Sequence, residues 1–323
     1  MQGTVIKSEN LSKTYIRYRR AEGHLLRRER GEVHALTDAS FRVSEGEAVG
    51  LLGPNGAGKS TMVKLLSGIL TPTGGTCRVN GFVPWQDRHE YTRTIGAVFG
   101  QRTQLWWDVP IRDSYTLLRD IYALDDTAFR MRLAEASDAL ELGLLMDTPL
   151  RQLSLGQRMR AELCGSLLHA PRLLFLDEPT IGLDAVSKLS LREFLAQENR
   201  QRGTSMLLTT HDIADIQALC ARVLVLGHGR ILYDGPLTAL LERYRRTSAV
   251  RCSFQSVPDF SALPDYIRRE QDEDTWLLTY PAHRLTLPEL LPLLSAAAPL
   301  QAFTPVEPPV DEMIAEMYRD MKL

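Results

Sequence analysis

The sequence predicts an α/β protein with a parallel sheet, on the basis of two apolar runs and the helix that follows the first of them. Ala48–Leu52 leads directly into a glycine-rich segment, and Leu173–Leu176 ends at two adjacent carboxylates. Uninterrupted apolar runs of this length are typical of parallel strands that are covered on both faces. A helix is expected just after the first run, because apolar residues recur there at helical spacing. Those residues are Met62, Leu65, Leu66 and Ile69.

The glycine-rich segment fits the G-x-x-x-x-G-K-[ST] phosphate-binding pattern at every fixed position. Its glycines let the backbone curl around a polyphosphate, and the N-terminus of the helix favours an anion. Lys59 supplies a point charge between the β- and γ-phosphates, and the Ser60 hydroxyl is expected to ligate Mg²⁺. The pattern therefore predicts a site for a nucleoside triphosphate, with a glycine-rich turn as the alternative. The segment is Gly53, Pro54, Asn55, Gly56, Ala57, Gly58, Lys59, Ser60 and Thr61.

The two carboxylates after the second apolar run, Asp177 and Glu178, predict hydrolysis of that nucleotide. Ligand chemistry in an open α/β sheet is found at the carboxyl ends of its strands. Asp177 is expected to hold the Mg²⁺ shell. Glu178 is expected to polarise the attacking water, a general-base role worth about 10²–10⁴ in rate. The alternative is an acidic pair that only caps the next helix.

Four further elements accompany these two motifs between roughly residues 4 and 240. Tyr15 follows Leu11-Ser12-Lys13-Thr14, Gln101 lies between the two nucleotide motifs, and His211 ends an apolar strand at Met206–Thr210. Leu153-Ser154-Leu155-Gly156-Gln157 stands shortly before the strand that carries the carboxylates. In this combination and order, the motifs resemble the ATP-binding subunit of ABC transporters.

The resemblance implies a P-loop NTPase core of the ABC type with a helical subdomain at about 103–168, which binds ATP and Mg²⁺ and hydrolyses ATP. In that family, two subunits enclose two ATP molecules head to tail. Ser154, Gly156 and Gln157 would then face the γ-phosphate held by the other subunit, and Leu183-Asp184 would contact that subunit.

The resemblance also implies roles for the remaining elements. Gln101 would sense Mg²⁺ and the γ-phosphate, so that the metal-contacting set is Ser60, Gln101 and Asp177. His211 would contact the γ-phosphate as a switch and joins Glu178 as a catalytic residue. Tyr15 would stack on adenine, an interaction typically worth about 1–3 kcal/mol.

The chain departs from the family pattern at two places. Leu155 stands where the family most often has glycine, but Ser154 and Gly156 remain, so the phosphate contact is expected to survive. Residues 16–32 form an insertion after Tyr15, which makes Tyr18 the second candidate for the stacking residue. The insertion carries six arginines, and a basic amphipathic element near the membrane and a solvated, partly disordered loop are both open alternatives. The arginines are Arg17, Arg19, Arg20, Arg27, Arg28 and Arg30.

Two stretches, Val98–Pro110 and Leu153–Arg160, resemble an exporter branch of the family that includes viologen and drug efflux systems. The expected partners are integral-membrane permease subunits and a second ATP-binding subunit, either a copy of this chain or a sister subunit. The permease would contact the region after Gln101. Trp106 and Trp107 in that region are candidate interface anchors, and packing within the helical subdomain is the alternative. The implied location is the cytoplasmic face of the cell membrane, as a peripheral subunit.

Composition excludes several other classes. The 323 residues carry 38 basic and 40 acidic side chains, so no basic footprint for nucleic acid is present. The four cysteines are scattered without a C-x-x-C pair, which favours reduced thiols and disfavours a metal cluster. The longest uncharged candidate for a membrane span, Leu290–Val306, is too short and contains three prolines. A separate permease is therefore expected to carry the transport path.

A second, small α+β domain is predicted at 241–323, after an ATP-binding domain at 1–240. Strands are expected at Ala249–Phe254 and Trp276–Tyr280, and helices at Asp259–Glu270, Leu287–Ala297 and Val310–Met321. A role in dimerisation or regulation and a folded cap without its own activity are both open for this domain.

Two other functions compete with transport. One is an ABC ATPase that acts on DNA or ribosomes, but the long coiled-coil insertion of repair relatives and the paired cassettes of ribosome-associated relatives are both absent from the sequence. The other is a regulatory module that rarely hydrolyses ATP, which the presence of Glu178 and His211 disfavours.

Overall fold

The computed structural model describes residues 3–20, 28–100, 102–210, 212–244, 247–306 and 310–323, except for the side chains of residues 18–20, 28–30, 311 and 312. The chain divides into two compact units. The first is Met1–Leu237 together with Leu323, and the second is Thr238–Lys322.

Two sheets build the first unit. Its strands, in chain order, are β1 (Thr4–Arg20), β2 (Arg28–Ser44), β3 (Ala48–Leu52), β4 (Gly74–Val79), β5 (Ile95–Phe99), β6 (Leu173–Asp177), β7 (Ser205–Thr209), β8 (Arg222–Gly227) and β9 (Arg230–Pro236). Six of them form a sheet in the order β5-β6-β7-β3-β8-β9, in which only the edge strand β9 is antiparallel. The other three form an antiparallel sheet in the order β2-β1-β4.

The central strands of the six-stranded sheet are buried on both faces, as their apolar runs predict. Every side chain of Leu173–Leu176 is fully buried, and β7 is buried along its whole length. The α/β class with a parallel sheet is therefore confirmed. This order places the carboxyl ends of β3, β6 and β7 side by side, because neighbouring parallel strands end at one edge of the sheet.

Helices cover the sheet and form a largely helical segment between β5 and β6. The helices of the first unit are α1 (Lys59–Leu66), α2 (Arg88–Thr92), α3 (Ile111–Tyr122), α4 (Asp126–Ala139), α5 (Leu155–Leu167), α6 (Ala185–Arg202) and α7 (Ile213–Leu219). Local signals set several of their ends. Asp125 caps α4 by accepting from the N–H groups of Thr127 and Ala128, and α6 ends at Gly203, which has a φ of 67°.

The insertion that follows Tyr15 forms paired strands over its described parts. The hairpin of β1 and β2 continues through the register pair Arg20 and Arg28. Residues 16–20 and 28–32 are therefore extended and hydrogen-bonded rather than the disordered loop that composition suggested as one alternative. Cross-strand pairing explains the difference, because it satisfies the backbone of a polar segment that composition alone assigns to a loop.

The second unit is a four-stranded antiparallel sheet with helices. The elements are α8 (Leu237–Tyr244), β10 (Thr247–Phe254), β11 (Arg268–Asp272), β12 (Thr275–Pro281), α9 (Leu287–Ala297), β13 (Leu300–Val306) and α10 (Val310–Asp320). The sheet order is β11-β12-β10-β13, and the apolar core includes Val250, Leu278 and Leu290.

One prediction for this unit was wrong, and one strand was missed. The expected helix at Asp259–Glu270 is a single 3-10 turn at Phe260–Ala262 followed by strand β11. Pro264 interrupts that segment, and β11 is an exposed edge strand whose polar residues carry no alternation to reveal it. Strand β13 was not predicted, because Pro305 within it and Pro299 just before it are typical of loops. Pro305 is tolerated there because β13 lies at the edge of the sheet.

Candidate functional site

The phosphate-binding loop connects β3 to α1, and two of its three glycines are required by close contacts. Gly53 and Gly58 have φ values of 147° and 109°. A Cβ atom would lie 2.4 Å from the Leu226 carbonyl oxygen at Gly53, and 2.4 Å from the Ala35 carbonyl oxygen at Gly58. Gly56, at a φ of 84°, has no atom within 4 Å of such a Cβ. The loop therefore needs glycine at 53 and 58 for space as well as for backbone conformation.

Lys59 begins α1, and its ammonium turns back over the loop. Its Nζ donates hydrogen bonds to the carbonyl oxygens of Gly53 at 2.5 Å and Pro54 at 3.2 Å. Burial lowers the pKa of Lys59, while the nearby carboxylates of Glu178 and Asp177 raise it. The side chain thus holds a partly desolvated charge at the point where phosphate is predicted to bind. A phosphate bound there would further favour the charged form of Lys59.

The loop borders a cavity of about 560 Å³ that also contains both predicted carboxylates. It brings together the phosphate-binding loop, the ends of β5 and β6, and the turn after Glu178. Cationic and anionic side chains both line it, which suits a polyphosphate with a bound cation. The lining residues are Ala35, Pro54, Asn55, Gly56, Gly58, Lys59, Ser60, Thr61, Lys64, Phe99, Gly100, Arg102, Asp177, Glu178 and Ile181.

Asp177 is held at the end of β6 by the neighbouring strands. The Thr209 hydroxyl on β7 donates to Asp177 Oδ1 at 2.5 Å, and the Gly100 N–H donates to the Asp177 carbonyl oxygen at 2.9 Å. Ser60 and Asp177 therefore present a hydroxyl and a carboxylate to one cavity. Such hard oxygen donors fit Mg²⁺, which in nucleotide sites uses few protein ligands together with phosphate and water.

Glu178 leaves the strand in an unusual backbone conformation. Its φ is 57°, in the left-handed region that non-glycine residues rarely adopt. Its N–H donates to the Thr209 carbonyl oxygen at 2.9 Å, which continues the β6–β7 ladder by one residue. The turn therefore starts immediately after this bond, and both carboxylates line the cavity. Backbone strain of this kind is found at functional sites.

The signature segment lies outside this cavity. Ser154 caps α5: its hydroxyl accepts from the Gln157 N–H at 3.2 Å, and the Gln157 side-chain oxygen accepts from the Ser154 N–H at 2.9 Å. Ser154, Gly156 and Gln157 do not line the cavity, so one chain does not bring the signature to its own phosphate-binding loop.

Leu155, the departure from the family pattern, has a packing role in the structure. A Cβ atom at Gly182 would lie 2.2 Å from Leu155 Cδ2, so the leucine side chain covers this glycine. Gly182 directly precedes Leu183-Asp184, where Asp184 caps α6 by accepting from the Ser187 N–H at 2.9 Å. This bond from the Ser187 backbone, with a second from its hydroxyl, lowers the pKa of Asp184. The signature thus rests on the loop predicted to contact the second subunit.

Apart from the signature residues, three predicted site residues are not joined to the cavity by the described structure. Gln101 and His211 lie outside the described residues, although Gly100 and Arg102 line the cavity on either side of the first. Tyr15 lies on β1 opposite Val33 and does not line the cavity. Its ring centroid is 5.6 Å from the Lys13 ammonium. The side chain of Tyr18, the second candidate, also lies outside the description.

The prediction missed several residues that the fold brings to the site. Lys64 lies one helical turn after Ser60, a spacing that the sequence could have revealed. Ala35, Phe99 and Arg102 come from other parts of the chain and carry no motif of their own. The Thr209 contact to Asp177 is likewise visible only in the folded chain.

The chain is similar to known ATP-binding proteins. The ABC transporter family matches residues 36–181. The chain is 32% identical over 213 residues to the ABC transporter ATP-binding protein NatA of Bacillus subtilis, covering 66% of this chain and 86% of that protein. It is 34% identical over 214 residues to the cobalt import ATP-binding protein CbiO of Rhodobacter capsulatus, covering 65% of this chain and 76% of that protein.

Two further comparisons concern a drug-resistance protein and a solved structure. The doxorubicin resistance ATP-binding protein DrrA of Mycobacterium tuberculosis is 33% identical over 214 residues, covering 66% of this chain and 64% of that protein. A dimeric post-hydrolysis structure of the ATP-binding cassette MJ0796 bound to ADP and Pi matches with a TM-score of 0.62 and 27% identity, covering 72% of this chain and 98% of that one.

The chain belongs to the ATP-binding subunits of ABC transporters. It is an ABC-type ATPase with an ATP-binding α/β core. Its relatives include import proteins as well as drug-resistance proteins. In the part of the chain that the structure describes, no helix is long and apolar enough to cross a membrane.

Proposed function

We propose that this chain drives substrate export through a separate permease by closing with a second ATP-binding subunit around two ATP molecules. The observation that carries the proposal is the division of the site: the cavity holds Lys59, Ser60, Asp177 and Glu178, while Ser154 lies elsewhere in the same chain. A second subunit that supplied its signature would complete the site. The dimeric ADP-bound relative supports this arrangement.

Within the closed pair, the residues of the cavity divide the chemistry. The loop N–H groups and Lys59 hold the phosphates of ATP, and Ser60, Asp177 and Gln101 would hold Mg²⁺, which neutralises charge on the β- and γ-phosphates when bound. Glu178 orients and polarises the attacking water. His211 contacts the γ-phosphate, and the aromatic ring of Tyr15 or Tyr18 stacks on adenine.

The assigned base is tested by Glu178→Gln. The variant should hydrolyse ATP about 10²–10⁴-fold more slowly, because the amide cannot accept the proton of water. It should also accumulate as a closed dimer with ATP and Mg²⁺, measured by light scattering after gel filtration. Lys59→Ala is the matched control, since it should form no such dimer for lack of phosphate binding. Normal turnover in Glu178→Gln would remove the assignment.

The permease is proposed to dock on the region after Gln101. Trp106 and Trp107 are 40% and 46% exposed, so both have free surface for a partner. Arg158 lies over the Trp107 ring at 5.5 Å from its centroid, and the Trp107 carbonyl accepts from the Arg151 N–H at 3.0 Å. Arg158 stands on α5, the helix that Ser154 caps. A force on Trp107 would therefore reach the signature through one side-chain contact.

Trp107→Ala tests this docking. Transport should be lost or strongly reduced while basal ATP hydrolysis persists, because truncating an anchoring aromatic typically costs 2 kcal/mol or more at an interface. Leu144→Ala is the control, since Leu144 is also an exposed apolar side chain of the helical segment, with its surface completely accessible. Full transport by Trp107→Ala in proteoliposomes would exclude the anchor.

Export, rather than import, is proposed from the resemblance of Val98–Pro110 and Leu153–Arg160 to the exporter branch and from the similarity to DrrA. We place the subunit at the cytoplasmic face of the cell membrane. The second unit would act as an accessory domain after an ATP-binding domain at 1–240.

Purification from native membranes distinguishes a transport function from that of an ABC ATPase acting on DNA or ribosomes. Co-purifying polytopic proteins support transport, and co-purifying ribosomes or DNA refute it.

A further inference from the structure

A fully buried carboxylate behind the site connects segments that carry its proposed catalytic groups. Asp215 on α7 has 0% of its surface exposed. Its Oδ2 accepts from the hydroxyls of Thr180 at 2.5 Å and Thr210 at 3.1 Å. Its Oδ1 lies 2.6 Å from both Nε and a terminal nitrogen of Arg192. Both oxygens are thus saturated by close donors, as a buried charge requires.

The partners of Asp215 come from three parts of the site. Thr180 is two residues after Glu178, and Thr210 immediately precedes His211. Arg192 lies on α6, the helix that begins after Asp184 in the loop expected to contact the second subunit. One carboxylate therefore touches the segments on which the proposed base, the proposed switch and the proposed dimer contact are mounted.

A second set of ion pairs extends this connection. Asp212, the residue after His211, accepts from Lys188 at 2.6 Å and lies 3.4 Å from Arg192. Lys188 and Arg192 are one turn apart on α6, so a single helix face holds both Asp212 and Asp215. The backbone on each side of His211 is consequently anchored to α6 and to Thr180.

We propose that Asp215 is a positioning residue for ATP hydrolysis, which sets the segment after Glu178 and the segment around His211 in register with each other. The inference rests on the proposed roles of those two residues. Burying an ion pair contributes little net stability compared with apolar packing of the same volume, so we assign the pair of Asp215 with Arg192 the role of imposing one geometry on its partners. Geometry matters here, because a displacement of about 1 Å at a reacting group costs on the order of 100-fold in rate.

Asp215→Asn tests the inference in the full-length chain. Its turnover number should fall by about 10–100-fold. The dissociation constant for ATP should stay within about threefold of wild type, because the substitution removes no contact that binds ATP in the ground state. The phosphate-binding loop and Lys59 make none of the Asp215 contacts described above, which is the reason for this split. A turnover number equal to that of wild type in folded Asp215→Asn would overturn the proposal.

Glu198→Gln is the matched control for a structural effect. Glu198 is also on α6, is 5% exposed, and pairs with Arg132 at 2.8 Å and Arg202 at 3.2 Å, but it does not line the ATP cavity. Both variants should lower the melting temperature, and only Asp215→Asn should lower the turnover number at a temperature where both are folded. An equal loss of turnover in Glu198→Gln would also overturn the inference.

A second variant covers the case in which Asp215→Asn does not fold. Thr180→Val keeps the side-chain shape and removes one donor to Asp215 Oδ2. It should lower turnover several-fold at an unchanged dissociation constant for ATP, and wild-type turnover would refute the proposal. The two levels of hypothesis remain distinguishable: normal turnover in Glu178→Gln removes the assigned base, whereas normal turnover in Asp215→Asn or Thr180→Val removes only the positioning role.

Discussion

Two glycines of the phosphate-binding loop make a matched pair for testing why the loop needs glycine. Gly58→Ala and Gly56→Ala add the same methyl group two residues apart in one loop. At Gly58 the new Cβ would lie 2.4 Å from the Ala35 carbonyl oxygen, at a φ of 109°. At Gly56 it would meet nothing within 4 Å, at a φ of 84°. The pair separates backbone strain from steric overlap.

The expected costs follow from these two environments. A non-glycine residue in a sparsely populated backbone region costs about 1–3 kcal/mol, and this applies to both variants. Forcing an extra methyl against packed backbone costs about 1–3 kcal/mol more, and this applies only to Gly58→Ala. Gly58→Ala should therefore lose about 2–6 kcal/mol of unfolding free energy, and Gly56→Ala about 1–3 kcal/mol. Ala35 belongs to β2 and has little freedom to retreat.

Differential scanning calorimetry without nucleotide measures the difference. For a unit of this size, about 1 kcal/mol corresponds to a shift of about 2–4 °C in melting temperature. The first-unit transition of Gly58→Ala should therefore lie about 2–12 °C below that of Gly56→Ala. Equal melting temperatures for the two variants would refute the argument, since they would show that the Ala35 contact is relieved without cost.

Two further predictions concern buried groups. Burial raises the pKa of Cys164 to about 12 from its usual 9.0, so this thiol ionises first in the unfolded chain and stability should fall above pH 9. Cys164→Ala should reduce the loss between pH 8 and pH 10 in urea unfolding by about 1.4 kcal/mol, and an unchanged loss would contradict this. Glu162→Gln should cost about 1–3 kcal/mol, because glutamine keeps a single acceptor oxygen for two donors, the Gln104 N–H and the Thr103 hydroxyl, and its NH₂ group cannot accept from the other. Glu141→Gln, which removes the charge of an exposed carboxylate that pairs with Arg160, should cost less than about 1 kcal/mol in the same unfolding assay, and equal costs would contradict the argument.

The parts of the site that the sequence predicted are those with local causes. The phosphate-binding loop is nine contiguous residues between a strand and a helix, so its composition and order reveal it without knowledge of the fold. Asp177 and Glu178 follow a buried strand for the same reason. The capping pair Ser154 and Gln157 is also local. Its spacing is that of a capping box, so the start of α5 could have been predicted from the sequence as well.

The elements that were predicted wrongly, missed or left open are strands that strand pairing, rather than their composition, makes possible. Strand β13 begins directly after Pro299 and contains Pro305. A strand is acceptable there only because β13 lies at an edge of the sheet. The insertion after Tyr15 contains few apolar residues, so its pairing in β1 and β2 comes from backbone hydrogen bonds that composition does not record. The helix expected at Asp259–Glu270 gave way to an edge strand through pairing with β12.

The sequence by itself determined the family and the ATPase class, and it predicted the residues that meet phosphate, because these depend on short motifs whose chemistry acts between adjacent residues. The tertiary structure alone decided that Ala35 and Leu226 close on the loop glycines, that Thr209 holds Asp177, and that Asp215 joins three separate segments. Contacts between residues far apart in the chain exist only after the sheet has set the order of its strands. Their energies depend on distances of a few ångströms that no local pattern encodes.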